Sequence, residues 1–181
     1  KFHRSYNEKN WRILPRQAVH DSSSVTYPVF TAIAAPEVQN KLNGDFAIIA
    51  GPYLQNLATG GCELDYTLTF VSEKFISMVF FGVLDEGEKE IFAKIPLNID
   101  VQTGAQLALG DVLNLRDADL LPVLRLLTKK DKVDFSKGIP ESWYYNGTNF
   151  VFCQRSEIGE WLEATVAASD LKKFLLKPEL F

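Results

Sequence analysis

Hydrophobic and polar residues alternate along several stretches of this chain, and this pattern predicts β-strands. Every second residue is apolar over residues 62–70 and again over residues 91–101. A two-residue period is typical of a strand that buries one face and leaves the other in water. Residues 74–84 are apolar on both faces, so we predict that they form the central strand of the sheet. Residues 24–33 are rich in β-branched and aromatic side chains, which predicts a further strand.

Apolar residues at helical spacing predict one long helix and two short ones. The long helix is predicted to begin at Pro36, because proline is favoured in a first turn. Its apolar stripe consists of Val38, Leu42, Phe46 and Ile49. Gly51-Pro52 is expected to interrupt this helix, since a proline clashes with the preceding turn. Shorter helices are predicted over residues 120–127 and after Ser169.

The dipeptide Asn146-Gly147 predicts a hairpin between residues 143–145 and 150–152, because this pair favours the tight turn that joins two antiparallel strands. Residues 165–168 are predicted to form the last strand. Together these elements predict an α+β fold, with an antiparallel β-sheet, a long helix after the first strand and shorter helices packed on the sheet.

Length and charge narrow the class of protein. The chain has 181 residues, which fits one domain. We expect residues 24–181 to form this domain and the basic, polar residues 1–23 to be a partly ordered lead-in. The formal net charge of −4 disfavours a nucleic-acid partner, which would require a basic surface. No run reaches the roughly 18 consecutive apolar residues of a membrane span, and we expect any signal sequence to lie outside this chain.

Cys62 and Cys153 lie far apart in the sequence and leave two alternatives open. A disulfide between them would fit an extracytoplasmic protein, and closing so long a loop would stabilise the fold by about 4–5 kcal/mol. The other alternative is a pair of buried free thiols. The chain has no CxxC motif, which argues against a zinc ribbon or a thioredoxin-type site. No metal and no cofactor is predicted.

The sequence holds few residues suited to catalysis. Its two histidines, His3 and His20, both lie in the expected lead-in, and the usual nucleophile, phosphate and zinc-protease motifs are missing. Glu63 and Asp65 share a strand face about 7 Å apart, which suits glycoside hydrolysis, but a solvated strand face is the favoured interpretation. Asp100 is expected to accept backbone hydrogen bonds within its own turn rather than to bind a metal ion.

Four segments occur in an order that resembles a bacterial envelope domain. They are Val25 to Pro28 followed by Asn40 and Leu42, Asp100 to Gly104 with Leu107, Leu109 and Asp111, Asn146 to Phe152, and Ala168 to Leu171. The domain is the one found at the C-terminus of the anti-sigma factor RsiV and at the N-terminus of the peptidoglycan deacetylase PdaC. The resemblance implies an α+β fold in an extracytoplasmic protein, either secreted or envelope-anchored. In RsiV-like proteins this domain recognises lysozyme. Residues 85–89 and 156–161 depart from the family pattern. The resemblance therefore assigns no lysozyme-binding residue to this chain.

Aromatic and acidic side chains in predicted loops are the best candidates for ligand binding, because exposed Trp and Tyr residues often anchor protein or sugar ligands. The candidates are Trp161 with Glu157 and Glu160, Tyr144 and Tyr145 before the hairpin turn, and Glu86 and Glu88 in an acidic turn. Trp161 is predicted to lie in an acidic loop. An exposed ring surrounded by carboxylates would suit a basic partner.

These observations favour a non-catalytic, secreted or cell-envelope binding domain. Its expected ligand is a lysozyme-like protein or a cell-wall glycan. One alternative is an accessory module or weak hydrolase that acts on cell-wall polysaccharide through Glu63 and Asp65. A cleft that contains these two carboxylates and an aromatic platform would support that alternative. Another alternative is a structural envelope protein that associates with itself.

Overall fold

The computed structural model describes residues 5–7, 10–85, 87 and 89–181, and these residues form ten strands and three α-helices. The strands are β1 Tyr6–Asn7, β2 Arg12–His20, β3 Ser23–Thr31, β4 Cys62–Val71, β5 Phe75–Asp85, β6 Glu90–Asp100, β7 Ala105–Gln106, β8 Ser142–Tyr145, β9 Asn149–Arg155 and β10 Trp161–Ala167. The helices are α1 Pro36–Asn56, α2 Leu109–Val112 and α3 Leu120–Leu127, and short 3-10 helices span Leu57–Thr59, Phe135–Lys137, Ala168–Phe174 and Pro178–Leu180.

Strands β1 to β7 form one large sheet in which each strand lies beside its neighbour in sequence. The pairs are antiparallel except for β3 and β4, which run parallel where Ser24 faces Glu63. The parallel pair follows from α1, because a parallel connection requires a crossover segment. Strands β8, β9 and β10 form a small antiparallel sheet. The α+β fold predicted from the sequence is confirmed. Strand β5 is an interior strand paired on both sides, but the middle strand of the seven is β4.

Residues 12–20 belong to the sheet, whereas we expected residues 1–23 to be a partly ordered lead-in. They form β2, which pairs with β3 along its whole length. Trp11 and Ile13 are buried in the core at the start of this strand. Most other side chains of β2 are exposed, so the backbone hydrogen bonds to β3 hold the strand in place. The pattern of apolar residues therefore does not reveal this strand.

Helix α1 continues through Gly51-Pro52, so the predicted interruption is wrong. Ala50 and Tyr53, on either side of this dipeptide, are buried in the core against the large sheet. The ring of Tyr53 lies so close to Gly82 of β5 that a Cβ atom at Gly82 would overlap it. The packing of α1 on the sheet therefore outweighs the cost of an internal proline, which is about 3 kcal/mol.

Two hydrophobic cores lie on opposite faces of the large sheet. Phe75 and Phe80 are five residues apart on β5, and they point to opposite faces because side chains alternate along a strand. Phe80 packs with Phe46 of α1 in the first core. Phe75 packs with Trp143 of β8 and with Phe181 in the second core, which joins one end of the large sheet to the small sheet.

The turn after β6 has a structural role, as its sequence predicted. The Asp100 Oδ1 accepts the backbone N–H groups of Gln102 at 2.9 Å and of Thr103 at 3.3 Å. Gly104 adopts a φ of 68°, which favours glycine, and its N–H donates to the Asp100 carbonyl at 2.8 Å. The expectation that Asp100 accepts backbone hydrogen bonds in its own turn is confirmed.

Both cysteines are buried and free, so the disulfide alternative is wrong. Cys62 lies in the core beneath α1, where its Sγ donates to the Tyr53 carbonyl at 3.3 Å. Cys153 lies on β9 in the small sheet. The two residues belong to different sheets, so their burial serves two separate packing regions.

We expect two thiols per chain to react with a thiol-specific reagent when the protein is denatured without reductant. In the native protein both should react far more slowly, because both are buried and burial raises the pKa of the Cys153 thiol to about 12. The measurement is the absorbance change on reagent addition with and without denaturant. A denatured protein without titratable thiols would instead indicate a disulfide.

Candidate functional site

The face of the large sheet opposite α1 is covered only in part by the small sheet. Strand β8 packs on it at Ser77 and Asn98, which face each other across β5 and β6. The Ser77 Oγ donates to the Asn98 Oδ1 at 2.7 Å, and the Asn98 Nδ2 donates to the Trp143 carbonyl at 2.7 Å. The Tyr145 N–H donates to the Ser77 Oγ at 2.8 Å. Buried side chains thus supply the partners that the edge of β8 needs, and they fix the small sheet in place.

Beyond this junction the same face is open and forms a groove of about 380 Å³. It is lined by Glu63 and Asp65 of β4, Phe81 of β5, Phe92 and Lys94 of β6, and Trp161 of β10. We call it the Phe92 groove, since Phe92 is 52% exposed and Phe81 is 42% exposed. A second depression shares Phe92 and Trp161 and extends the groove to Glu160 and Lys132.

The strand register explains why these side chains meet. Asp65 pairs with Phe81, and Phe81 pairs with Lys94, so one row crosses the three strands. The neighbouring row joins Glu63, Val83 and Phe92. Directly paired residues point to the same face of a sheet, and residues two apart on one strand do the same. The groove is therefore a property of three neighbouring strands, closed on one side by Trp161.

A polar cluster forms the wall between the groove and the small sheet. Lys94 pairs with Glu163 of β10, and the Tyr144 Oη donates to the same carboxylate at 3.0 Å. The Lys94 Nζ also lies 5.8 Å from the ring centroid of Phe81 and 5.7 Å from that of Tyr144, within cation–π range. Burial, with the nearby Glu163 charge, raises the pKa of Tyr144, so this phenol stays protonated and acts as a donor.

The rim of the groove is acidic. Glu63 and Asp65 line it from β4, and Glu160 lines its extension. The charge of Lys94 is matched by Glu163, which leaves Lys132 as a cation that has no ion pair among the described residues. Among the described residues that line the groove and its extension, acidic side chains outnumber basic ones: Glu63, Asp65, Glu160 and Glu163 against Lys94 and Lys132. A low-dielectric cleft lined by charges of one sign concentrates its field, so the groove favours a positively charged group.

Two solved structures share this architecture, although no family model and no curated protein matches the sequence. A DUF3298 family member from Bacteroides fragilis is 12% identical, with a TM-score of 0.63 over 90% of this chain and 91% of that one. A DUF3298 family protein from Pseudomonas aeruginosa is 14% identical, with a TM-score of 0.58 over 94% of this chain and 95% of that one. The chain has the fold of DUF3298 family proteins.

This likeness concerns the fold, which occurs in a bacterial domain of unknown function. The finer resemblance to the RsiV and PdaC domain stays a prediction. The binding partner and the cellular location that the resemblance implies stay predictions as well.

Trp161 and Glu160 lie at the groove, whereas the acidic candidate Glu157 lies outside it. Trp161 is the first residue of β10 rather than part of a loop, and it lines the groove half-buried. Glu160 is exposed beside it. The Glu157 carboxylate is 96% exposed and pairs with the Lys137 Nζ at 3.9 Å, outside the groove lining. Glu86 and Glu88 lie outside the described residues.

The two tyrosine candidates have different roles. Tyr144 contributes its hydroxyl to the polar cluster with Glu163. Tyr145 is only 4% exposed and packs with Phe75 and Phe181, so its prediction as a ligand-binding residue is wrong. Side chains alternate along β8, and the junction buries the face that carries Tyr145.

Three groove residues are not indicated by the sequence reasoning: Phe81, Phe92 and Lys94. Phe92 could have been recognised from the sequence, because it is a large apolar side chain on a strand face whose other residues are mostly polar. Phe81 gave no signal, since both faces of its strand are apolar. The alternation predicts a solvated strand face for Glu63 and Asp65; Glu63 is exposed, and the structure also places both residues in the groove beside the rings.

Among the described residues no group of three His, Cys, Asp or Glu side chains is placed to hold a metal ion. None of the helices in the described part of the chain combines the length and the apolar character that crossing a membrane requires.

Proposed function

We propose that this chain is a non-catalytic binding domain of a secreted or envelope-anchored protein and that the Phe92 groove holds a basic protein ligand. The observation that carries the proposal is the groove itself, an open cleft with two exposed phenylalanine rings, a half-buried tryptophan and a carboxylate rim. Aromatic anchors in a pocket with complementary charge are the usual centre of a protein interface.

Charge favours a basic protein over a cell-wall glycan. The aromatic rings would suit either ligand. The carboxylates of Glu63, Asp65 and Glu160 add attraction for a cationic partner and would repel a glycan that carries acidic substituents. Lysozyme is the basic protein that the resemblance to RsiV-like domains suggests, so it is the first ligand to test.

The groove also meets the criterion set for the hydrolase alternative, because it joins Glu63 and Asp65 to an aromatic platform. The two carboxylates, however, lie on one strand and therefore on one wall of the groove. Glycosidase carboxylates flank the scissile bond from both sides. The opposite wall carries Lys94, already paired with Glu163. This arrangement supports binding more than hydrolysis.

We expect the domain to bind immobilised lysozyme saturably, with micromolar or tighter affinity that persists at physiological salt. Trp161→Ala should weaken binding by about 30-fold or more, the loss typical of a buried aromatic anchor. Glu157→Gln should leave the affinity unchanged, because its carboxylate lies in the turn before β10 and outside the groove. Biolayer interferometry at two salt concentrations measures both effects.

Melting temperatures of the two variants should match that of the parent chain, so that lost binding is not lost folding. Binding seen only at low salt would contradict the proposal, since it would reflect general attraction between an acidic and a basic protein. Binding to insoluble peptidoglycan but not to lysozyme would contradict the proposal of a protein ligand and would favour a cell-wall glycan as the ligand.

A further inference from the structure

We infer that the Phe92 groove is a pocket for an arginine side chain of the ligand. The inference rests on the proposed binding role of the groove and specifies the chemical group that it admits. It follows from three features of the groove: exposed rings, carboxylates on one wall, and a cation that the chain itself places against two neighbouring rings, those of Phe81 and Tyr144.

The ring faces suit a planar cation. Phe92 is half-exposed at the centre of the groove, with Trp161 beside it. A guanidinium group is flat, weakly hydrated and always charged, so it stacks on aromatic rings while keeping its N–H groups free for hydrogen bonds. A lysine ammonium is more strongly hydrated and loses more on leaving water. The groove therefore favours arginine over lysine.

The carboxylates supply partners for the guanidinium N–H groups. Glu63 and Asp65 are two residues apart on β4, so they stand side by side on one wall, about 7 Å apart at their Cα atoms. Arginine presents five N–H donors in a fixed fork, and its hydrogen bonds to carboxylates are stronger than those between neutral groups. Glu160 extends the acidic lining along the path of an approaching chain.

The chain already contains one cation held by the same chemistry. The Lys94 Nζ lies against the rings of Phe81 and Tyr144 and is paired with Glu163. Because Glu163 neutralises Lys94, this ammonium group does not repel a second cation strongly. Phe92 and the β4 carboxylates repeat the combination of a ring and acidic groups on the open side of the groove.

The test is an NMR titration of the whole ¹⁵N-labelled chain with acetyl-Gly-Arg-Gly-amide. The reporter is the indole N–H signal of Trp161, assigned through Trp161→Phe. Trp11 and Trp143 are buried elsewhere, so their indole signals serve as internal controls. We expect a saturable shift of the Trp161 signal alone. The citrulline peptide, equal in shape but uncharged, should bind about tenfold more weakly, and the lysine peptide should lie between the two.

Two pairs of variants locate the pocket. Phe92→Ala and Glu63→Gln should each weaken the arginine peptide about fivefold or more. Leu126→Ala on the exposed face of α3 and Glu157→Gln match these changes outside the groove and should have no effect. Equal binding of the arginine and citrulline peptides, or insensitivity to both groove variants, would overturn the inference.

The peptide titration and the lysozyme-binding experiment can succeed or fail independently of each other. Arginine selectivity in the peptide titration without any lysozyme binding would uphold the pocket and reject the lysozyme partner. Lysozyme binding that depends on Trp161, together with no selectivity for arginine, would uphold the groove as a binding site and reject the arginine pocket.

Discussion

Phe75→Ala is expected to lower the free energy of unfolding by about 3–5 kcal/mol, the usual cost of removing a fully buried phenylalanine ring. Phe75 is 0% exposed, and its ring centroid lies 6.5 Å from Trp143, 6.3 Å from Tyr145 and 5.3 Å from Phe181. It is the side chain of β5 that enters the core shared with the small sheet. Its loss leaves a cavity where the two sheets meet. Urea unfolding followed by tryptophan fluorescence measures the change.

Phe81→Ala is the matched control for this prediction. Phe81 lies on the same strand and points to the same face, six residues further along. It is 42% exposed, so we expect a loss of about 1 kcal/mol or less. The denaturant slope should be the same for both variants, which would indicate that only stability has changed. Equal losses in the two variants would mean that the second core does not depend on Phe75.

Asn98→Ala is expected to destabilise the protein by about 2–4 kcal/mol, because it leaves two buried polar groups without their partner. The Trp143 carbonyl loses its donor and the Ser77 hydroxyl loses its acceptor. Both groups lie in the buried junction that holds β8 on the large sheet. Thermal and urea unfolding should agree on the size of the loss.

Asn40→Ala is the control for that change. Asn40 is exposed on α1, where alanine is the better helix former, so its stability should change by no more than about 0.5 kcal/mol. A loss below about 1 kcal/mol for Asn98→Ala would indicate that water replaces the missing amide and that the junction tolerates its removal.

The junction bears on the proposed binding role because the Phe92 groove takes residues from both sheets. Phe92 and Glu63 belong to the large sheet, and Trp161 belongs to the small one. The ion pair of Lys94 with Glu163 ties the sheets together at the groove, and Ser77 and Asn98 tie them through the backbone of β8. A partner that contacts both walls would therefore bind a surface that folding has already assembled, which reduces the entropy cost of binding.

Much of the fold could be predicted from the sequence, since it depends on neighbouring residues. Strands β4 and β6 follow from alternation, and the Asn146-Gly147 hairpin and the Asp100 turn follow from local hydrogen-bonding chemistry. Strand β2 could not be predicted, because its side chains are mostly exposed and its backbone partner is β3. The continuation of α1 past Pro52 also depends on a distant contact, between Tyr53 and Gly82.

The residues of the candidate site also differ in how far the sequence predicts their role. The sequence by itself determined that Trp161 and Glu160 form an aromatic and acidic pair, and that Glu63 and Asp65 share one strand face. Only the tertiary structure decided that these residues meet Phe92 in one groove and that Tyr145 belongs to the core. Periodicity reports which face of a strand is apolar, but what covers that face depends on segments far apart in the chain. Here the small sheet covers one half of the outer face and leaves the other half open, and no local pattern encodes that boundary.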